Sequence, residues 1–252
     1  VYGPLRSRRR GLSLGINLFP GPGVCSFNCV YCFRGGAQVH VPYIENYIVT
    51  PAVLRSALEE AIHRLGDDAE KLSAIDFSGN GEPTLHPLFD ELVMEARALI
   101  NDKGLSTSLG VFTNSTRLCS PRVRSALAFL DHVEAKLDTV IGWKFELINE
   151  PARGIFLHDV IKCLSEIRGV FGGTLALQVM LLKYCGIDNY AISDAEEMAT
   201  IISSMIRPDE VHLYTTYAPP RMRCVERATS DTMERFATIL REHGIRVATY
   251  PE

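Results

Sequence analysis

Along this chain the apolar residues change period again and again. Short alternating or continuous apolar runs read as strands: 12–19 (LSLGINLF), 72–79 (LSAIDFSG), 107–114 (TSLGVFTN), 132–138 (HVEAKLD), 174–183 (TLALQVMLLK) and 210–217 (EVHLYTTY). Between them apolar residues return every three or four positions, which predicts helices over 51–66, 87–102, 121–130, about 157–170 and 231–243, and one opening at Ser193. In the first, Leu54, Leu58, Ile62 and Leu65 share a face, Thr50–Pro51 supplies an N-cap and a first-turn proline, and Gly66 a stop. Ser193 and Glu196 have the spacing of a capping box. Met233, Phe236, Ala237 and Leu240 line one side of the last helix, and 246–250 suits a short closing strand.

This makes six βα units of roughly 35 residues, an alternation that favours a parallel sheet with helices outside it. A doubly wound open sheet and a partial barrel share the pattern, and both gather chemistry at the carboxyl ends of the strands. No linker or composition shift interrupts the chain, so residues 1–252 read as a single domain. At 46% apolar content, 252 residues suffice for one large core. A net charge of −4 argues against indiscriminate nucleic-acid binding while leaving room for local basic patches. No apolar run approaches the roughly 20 residues that span a bilayer, and no signal-peptide pattern is present. Seven cysteines, an odd number scattered through a long chain, suggest a reducing, cytoplasmic setting with a metal or catalytic use for thiols.

Three of them, Cys25, Cys29 and Cys32, lie within eight residues as C-x3-C-x2-C, in the loop after the first strand. Three thiolates can hold three irons of a [4Fe–4S] cubane and leave the fourth iron open to another ligand. The alternative is structural zinc with His40 or a distant cysteine as fourth ligand, although no second cysteine knuckle exists.

With Tyr31 just before the last cysteine, this loop resembles that of the radical S-adenosylmethionine (SAM) superfamily. The stretch 76–87 (DFSGNGEPTLHP) resembles that superfamily's Gly-Gly-Glu-Pro element through Gly81-Glu82-Pro83, with Asn80 replacing its first glycine. Residues 3–20, 145–155, 178–189 and 211–220 are similar to segments of the single-domain radical SAM group related to wyosine-base (4-demethylwyosine) synthases. The chain departs from that group at SRRR (7–10), INEP (148–151) and KYCG (183–186).

The resemblance covers nearly the whole chain and implies an α/β fold, a partial (β/α)6 TIM-like barrel of the radical SAM type. It implies a [4Fe–4S] cluster on Cys25, Cys29 and Cys32, with SAM on the open iron. A low-potential electron donor of flavodoxin or ferredoxin type would reduce the cluster, and SAM would be cleaved to methionine and a 5′-deoxyadenosyl radical that takes hydrogen from a substrate. In the family the Gly-Glu-Pro turn receives the methionine amine, here Asn80, Gly81 and Glu82. Strand-end position adds Tyr31 against the adenine, and Thr113, Asn114 and Ser115 toward the ribose or carboxylate. Lys136 and Asp138 share a strand face and suit the SAM carboxylate and ribose, or else form an internal ion pair. Gln178 and Tyr214 are further cofactor candidates, or polar core residues.

Cys185 and Cys224 fall in loops near the expected mouth, as candidates to donate hydrogen to a substrate radical or to be alkylated; the alternative is small buried apolar residues. Cys163 reads as helix core, and Cys119 has no assigned role. Arginines concentrate in loops: Arg6 and Arg8 to Arg10, Arg34, Arg117 and Arg122, then Arg221, Arg223 and Arg227. Guanidinium groups there suit phosphate or carboxylate, and an ordinary solvated surface is the other reading. His86, His158 and His212 are acid/base candidates or structural. The substrate is expected to be a nucleoside, RNA or other anionic small molecule. A protein- or peptide-modifying activase is the alternative, and a non-catalytic zinc or iron–sulfur protein a third reading.

Overall fold

A computed structural model describes residues 1–251. One sheet of eight strands organises it: β1 (Tyr2–Ser7), β2 (Gly11–Ile16), β3 (Ala74–Phe77), β4 (Ser108–Thr113), β5 (His132–Lys136), β6 (Thr174–Met180), β7 (Glu210–Tyr214) and β8 (Val247–Tyr250). The strands neighbour one another in chain order. β1 pairs antiparallel with β2, and every later pair is parallel. A doubly wound sheet reverses its strand order at a switch point. This one never does, so it curls one way as an open half-barrel, and the ambiguity left by periodicity is resolved in favour of the partial barrel.

Seven helices cover the outside: α1 (Pro51–Leu65), α2 (Phe89–Asp102), α3 (Pro121–Leu127), α4 (Gly142–Asn149), α5 (Leu157–Ile167), α6 (Ile192–Ile201) and α7 (Ser230–Glu242). Ile75, Phe77, Leu109, Val111, Val133, Leu175, Leu177, Val211 and Leu213, all buried, alternate with the residues that line the barrel interior. α1 starts as its sequence demands: Thr50 Oγ1 accepts from Val53 N, and Pro51 follows. α6 does not. It begins at Ile192 behind Ala191 with no side-chain cap, so Ser193 and Glu196 sit inside the first turns and form no capping box. α4 escaped the pattern because it buries Lys144 and Asn149 beside Phe145 and Ile148, leaving no clean apolar stripe. The expected strand over 174–183 stops at Met180. Residues Leu182–Tyr184 instead form a small separate sheet with Ile187–Asp188 and Val225–Arg227.

The strand interior is polar, and the β1–β2 turn fills it from the amino end. Arg10 grips Asp76 with Nε at 3.2 Å and Nη2 at 2.9 Å, and also reaches Ser108 Oγ at 2.9 Å. Gly110 makes room for this pair, since a Cβ there would lie 2.3 Å from Asp76 Oδ1. Arg9 pairs with Glu134 and lies over the Tyr214 ring, 4.4 Å from its centroid. Glu134 also bonds His212 Nδ1 at 2.9 Å and His132 Nε2 at 3.2 Å. Burial alone would raise the Glu134 carboxyl; the hydrogen bonds from both histidines and the Arg9 charge overcome it and hold the group well below the usual range. Arg8 lies 5.7 Å from the centroid of the Tyr250 ring. Of the two readings of Arg8 to Arg10, an anion site or ordinary ion pairs, Arg9 and Arg10 take ion pairs, with the interior carboxylates Glu134 and Asp76, and all three enter from the end opposite the cysteine loop.

The four remaining cysteines pair as Cys119–Cys163 and Cys185–Cys224, with Cα separations of 5.2 and 5.3 Å. Cys185 and Cys224, the candidate hydrogen donors, are thus paired with each other here and neither carries a free thiol in this state. The pairing departs from the picture of seven reduced thiols.

Candidate cluster and cofactor site

The cysteine loop leaves the carboxyl end of β2 and is stitched down by backbone. Asn28 N and Val30 N donate to the Asn149 and Ile148 carbonyls at the end of α4, each at 3.0 Å, and Ala152 N donates to Ser26 O at 2.8 Å. From the other side Met222 N donates to Val30 O at 2.9 Å. Arg221 donates to the Asn28 carbonyl at 2.7 Å and the Cys29 carbonyl at 3.3 Å, and its charge meets Glu150 at 2.6 Å. Arg221 is thus a loop clamp. The loop's shape is set by segments more than a hundred residues away, with Cys29 buried and Cys25 and Cys32 half-buried.

The Gly-Glu-Pro turn docks directly on this loop. Gly81 has φ +95°, and a Cβ on it would stand 1.9 Å from the Val24 carbonyl oxygen, so only glycine permits the approach. Glu82 N then donates to Val24 O at 2.8 Å. Asn80 is held by its own N–H to Asn17 Oδ1 at 3.0 Å.

The Glu82 carboxylate is fully committed inside the protein. It accepts from Thr84 N at 3.0 Å, Thr84 Oγ1 at 2.6 Å, Thr113 Oγ1 at 2.7 Å and Asn114 N at 2.5 Å. Burial pushes its pKa up, and these donors pull it back. It ties the turn to the end of β4, which leaves the backbone carbonyls of the turn as acceptors for an ammonium. Thr113, Asn114 and Ser115 are committed in the same way. Asn114 Nδ2 donates to Ser26 Oγ at 2.8 Å and to Cys25 Sγ at 3.6 Å. Ser115, at φ +75°, donates its N–H to Thr113 Oγ1 at 3.1 Å and its hydroxyl to Lys136 O at 2.8 Å. These residues lie at the site, but their polar groups serve its frame.

A second group surrounds Cys29. Tyr31 donates its hydroxyl to Asp138 Oδ2, and Lys136 Nζ lies 5.2 Å from the Tyr31 ring centroid. Asp138 Oδ1 accepts from Met180 N at 2.9 Å and faces Lys136 Nζ at 3.5 Å. The Lys136–Asp138 pair is thus an internal ion pair, with the lysine end still partly exposed. Asn149, which sequence reasoning passed over, donates to Asp138 Oδ2 at 2.7 Å and to Cys29 Sγ at 3.6 Å. It lies in the INEP stretch (148–151) that the resemblance singles out, but its role there comes only from tertiary placement. Gln178, half-buried, lies in register with Lys136 and His212 on the same interior face. Tyr214 sits apart from the cysteines, stacked on Tyr250 at 4.9 Å and covered by Arg9. His212 belongs to the Glu134 network, His158 is exposed, and His86 is buried between Phe19 and Tyr47.

The donor set fits a cluster. Burial first, then the nearby Glu82 charge, pushes the Cys25 thiol far up, and burial with Asp138 lifts Cys29 to about 11. Among the described residues no three His, Cys, Asp or Glu converge on one ion position. Three free thiols are soft donors of the kind that hold iron–sulfur clusters, each thiolate on a different iron. His40 pairs beside Cys25 in a two-stranded bridge yet points its exposed residue to solvent. Asn149 Oδ1 and Tyr214 Oη are buried without a partner, leaving polar capacity for a bound ligand.

The fold is that of radical SAM enzymes. A radical SAM methyltransferase from Sphaerobacter thermophilus superposes with a TM-score of 0.67 at 16% identity, over 97% of this chain and 67% of that one. In sequence the chain is 32% identical over 213 residues to the UPF0026 protein slr1464 of Synechocystis sp., covering 84% of this chain and 74% of that protein, and it belongs to the UPF0026 family. It is also 32% identical over 218 residues to a protein named GTPase Obg from Brachyspira hyodysenteriae, spanning 85% of this chain but 29% of that protein's length. No family model matches. Among the described residues no helix is long and apolar enough to cross a membrane.

Proposed function

We propose that this chain is a radical SAM enzyme acting as a single domain, with Cys25, Cys29 and Cys32 holding a [4Fe–4S] cluster. The observation that carries the reading is the docking of Gly81 against Val24, which sets a bent run of backbone beside three free thiols at the carboxyl end of a parallel half-barrel. When bound, the cluster supplies the electron for reductive cleavage of SAM, and the resulting carbon radical abstracts hydrogen. The chain's own residues bind and orient. The carbonyls of the 79–81 turn accept the methionine ammonium. Lys136, with spare N–H donors, faces the SAM carboxylate. Asn149 Oδ1 accepts a hydroxyl or amine of the nucleotide. Tyr31 and the Asp138 network wall the site from water.

The substrate we favour is anionic. Arg34 and Arg223 are exposed near the loop, and Phe33 and Tyr217, 6.3 Å apart, form an exposed aromatic rim beside Cys32. A flavodoxin- or ferredoxin-type donor would supply the electron. The test is anaerobic reconstitution with iron and sulfide, followed by dithionite and SAM. Visible absorption that bleaches on reduction, with 5′-deoxyadenosine released, supports the proposal. A colourless protein with tightly held zinc overturns it. Deuterium transfer into 5′-deoxyadenosine from labelled nucleotide, RNA or peptide pools then separates an anionic small molecule from a protein substrate.

A further inference from the structure

Two of the three cluster sulfurs face a side-chain amide. Asn114 Nδ2 lies 3.6 Å from Cys25 Sγ, and Asn149 Nδ2 lies 3.6 Å from Cys29 Sγ. Amide orientation is commonly ambiguous, but here the partners decide it. Asn114 Oδ1 accepts from Thr116 N at 3.2 Å, a group that can only donate, so Nδ2 must face Ser26 and Cys25. Asn149 Nδ2 donates to the Asp138 carboxylate at 2.7 Å, a group that only accepts when ionised, so the amide nitrogen must be on the Cys29 side. Both side chains are buried, at 7% and 1% exposure, where a dipole acts with little screening. The backbone N–H of Phe27 adds another donor to Cys25 at 3.4 Å.

We infer that Asn114 and Asn149 are positioning residues of the cluster: their amide N–H groups donate to the Cys25 and Cys29 sulfurs and set the reduction potential of the cluster those thiolates hold. The inference rests on the cluster reading above. Its physical basis is the sign of the dipole. A positive N–H end aimed at sulfur stabilises the more negative, reduced cluster, and so raises its potential. The two donors come from different elements, the end of β4 and the end of α4, and act on different sulfurs, so their contributions add.

The experiment compares reconstituted wild type with Asn114→Leu, Asn149→Leu, the double variant and Glu150→Gln. The last loosens the same loop by weakening the Arg221 and Asn28 contacts without touching a sulfur. Iron and sulfide content, thermal melting and the midpoint potential from EPR-monitored reduction are read for each. Each Leu variant shifts the midpoint negative, the double variant shifts by about the sum, and Glu150→Gln stays at the wild-type value. Cluster loss to a chelator is about 10–100-fold faster in the Leu variants at unchanged melting temperature. Where a Leu variant does not fold, Asn→Ala at the same position carries the same expectation. Fully loaded Asn variants with wild-type potential and wild-type chelator resistance overturn the inference, as does an equal shift in Glu150→Gln. Failure of wild type to take up any cluster overturns the proposed function instead, and is told apart by iron content.

Discussion

The two ends of the half-barrel are both polar, and they are polar in different ways. At the amino end polar groups are consumed by one another: Arg10 by Asp76 and Arg9 by Glu134, with His132 and His212 hydrogen-bonded to the same Glu134 carboxylate. At the carboxyl end polar groups are organised around the sulfurs. Asn114 and Asn149 lean on cysteines, Glu82 ties two strand ends together, and Asn149 Oδ1 is left over. A closed network holds a fold, whereas a network with spare capacity can receive a ligand. Damage at the amino end should therefore cost stability, and damage at the carboxyl end should cost the cofactors.

The sharpest break is Cys29→Ala, or the same change at Cys25 or Cys32. Iron uptake falls to background and 5′-deoxyadenosine formation ceases, while the melting curve of the metal-free protein barely moves. Next is Glu134→Gln at the other end. Neutralising a fully buried carboxylate leaves Arg9 without its counter-charge, which costs about 3–5 kcal/mol in denaturant unfolding; variants that still fold load a cluster as wild type does. The wild-type pH profile carries the same signature. The Glu134 carboxyl is held below its usual 4.5, so its stabilisation is complete above that pH. Below it the unfolded chain takes up the proton first, and stability drains away as pH falls further. Glu134→Gln removes this acid-dependent component.

Gly81→Ala sits where the ends differ most. Its Cβ collides with the Val24 carbonyl and its φ is positive, so about 1–3 kcal/mol of stability is lost, and SAM affinity, measured by calorimetry on the reconstituted protein, falls with it. The smallest effect concerns His86, whose pKa burial lowers from 6.5 to about 4. As pH falls through that window the unfolded chain protonates first, so the fold loses stability. His86→Phe, between Phe19 and Tyr47, flattens the stability slope from pH 6.5 down to about 4. An unchanged slope contradicts a neutral buried imidazole.

Much of the site was legible. Three cysteines at fixed spacing and a Gly-Glu-Pro turn are local patterns, and the turn's glycine is required by a backbone contact that its sequence context anticipates. The partners of Glu82 and Thr113 were not legible, because strand-end position tells that a side chain is near the mouth but not what it bonds. Arg8 to Arg10 stayed open between an anion site and ordinary ion pairs for the same reason: a basic run in a loop looks alike at either end of a barrel. The segment holding Asn149 was legible through INEP (148–151), but the partners of its side chain were not, since the end of a helix without an amphipathic stripe does not tell what an asparagine bonds.

What the sequence by itself determined is what repeats or is contiguous: the alternation of strands and helices, the buried faces of α1 and α7, and the thiol triad. These follow from side-chain period and from spacing, which are properties of neighbours along the chain. Strand order, and with it the choice of barrel over doubly wound sheet, was decided by tertiary structure. So were the partners of every interior charge, the pairing of Cys185 with Cys224 and the amides on the sulfurs. Arg9 and Glu134 are 125 positions apart, and Asn149 and Cys29 are 120 apart. Hydrogen bonds and ion pairs act over a few ångströms, so only the folded sheet could bring such residues within reach.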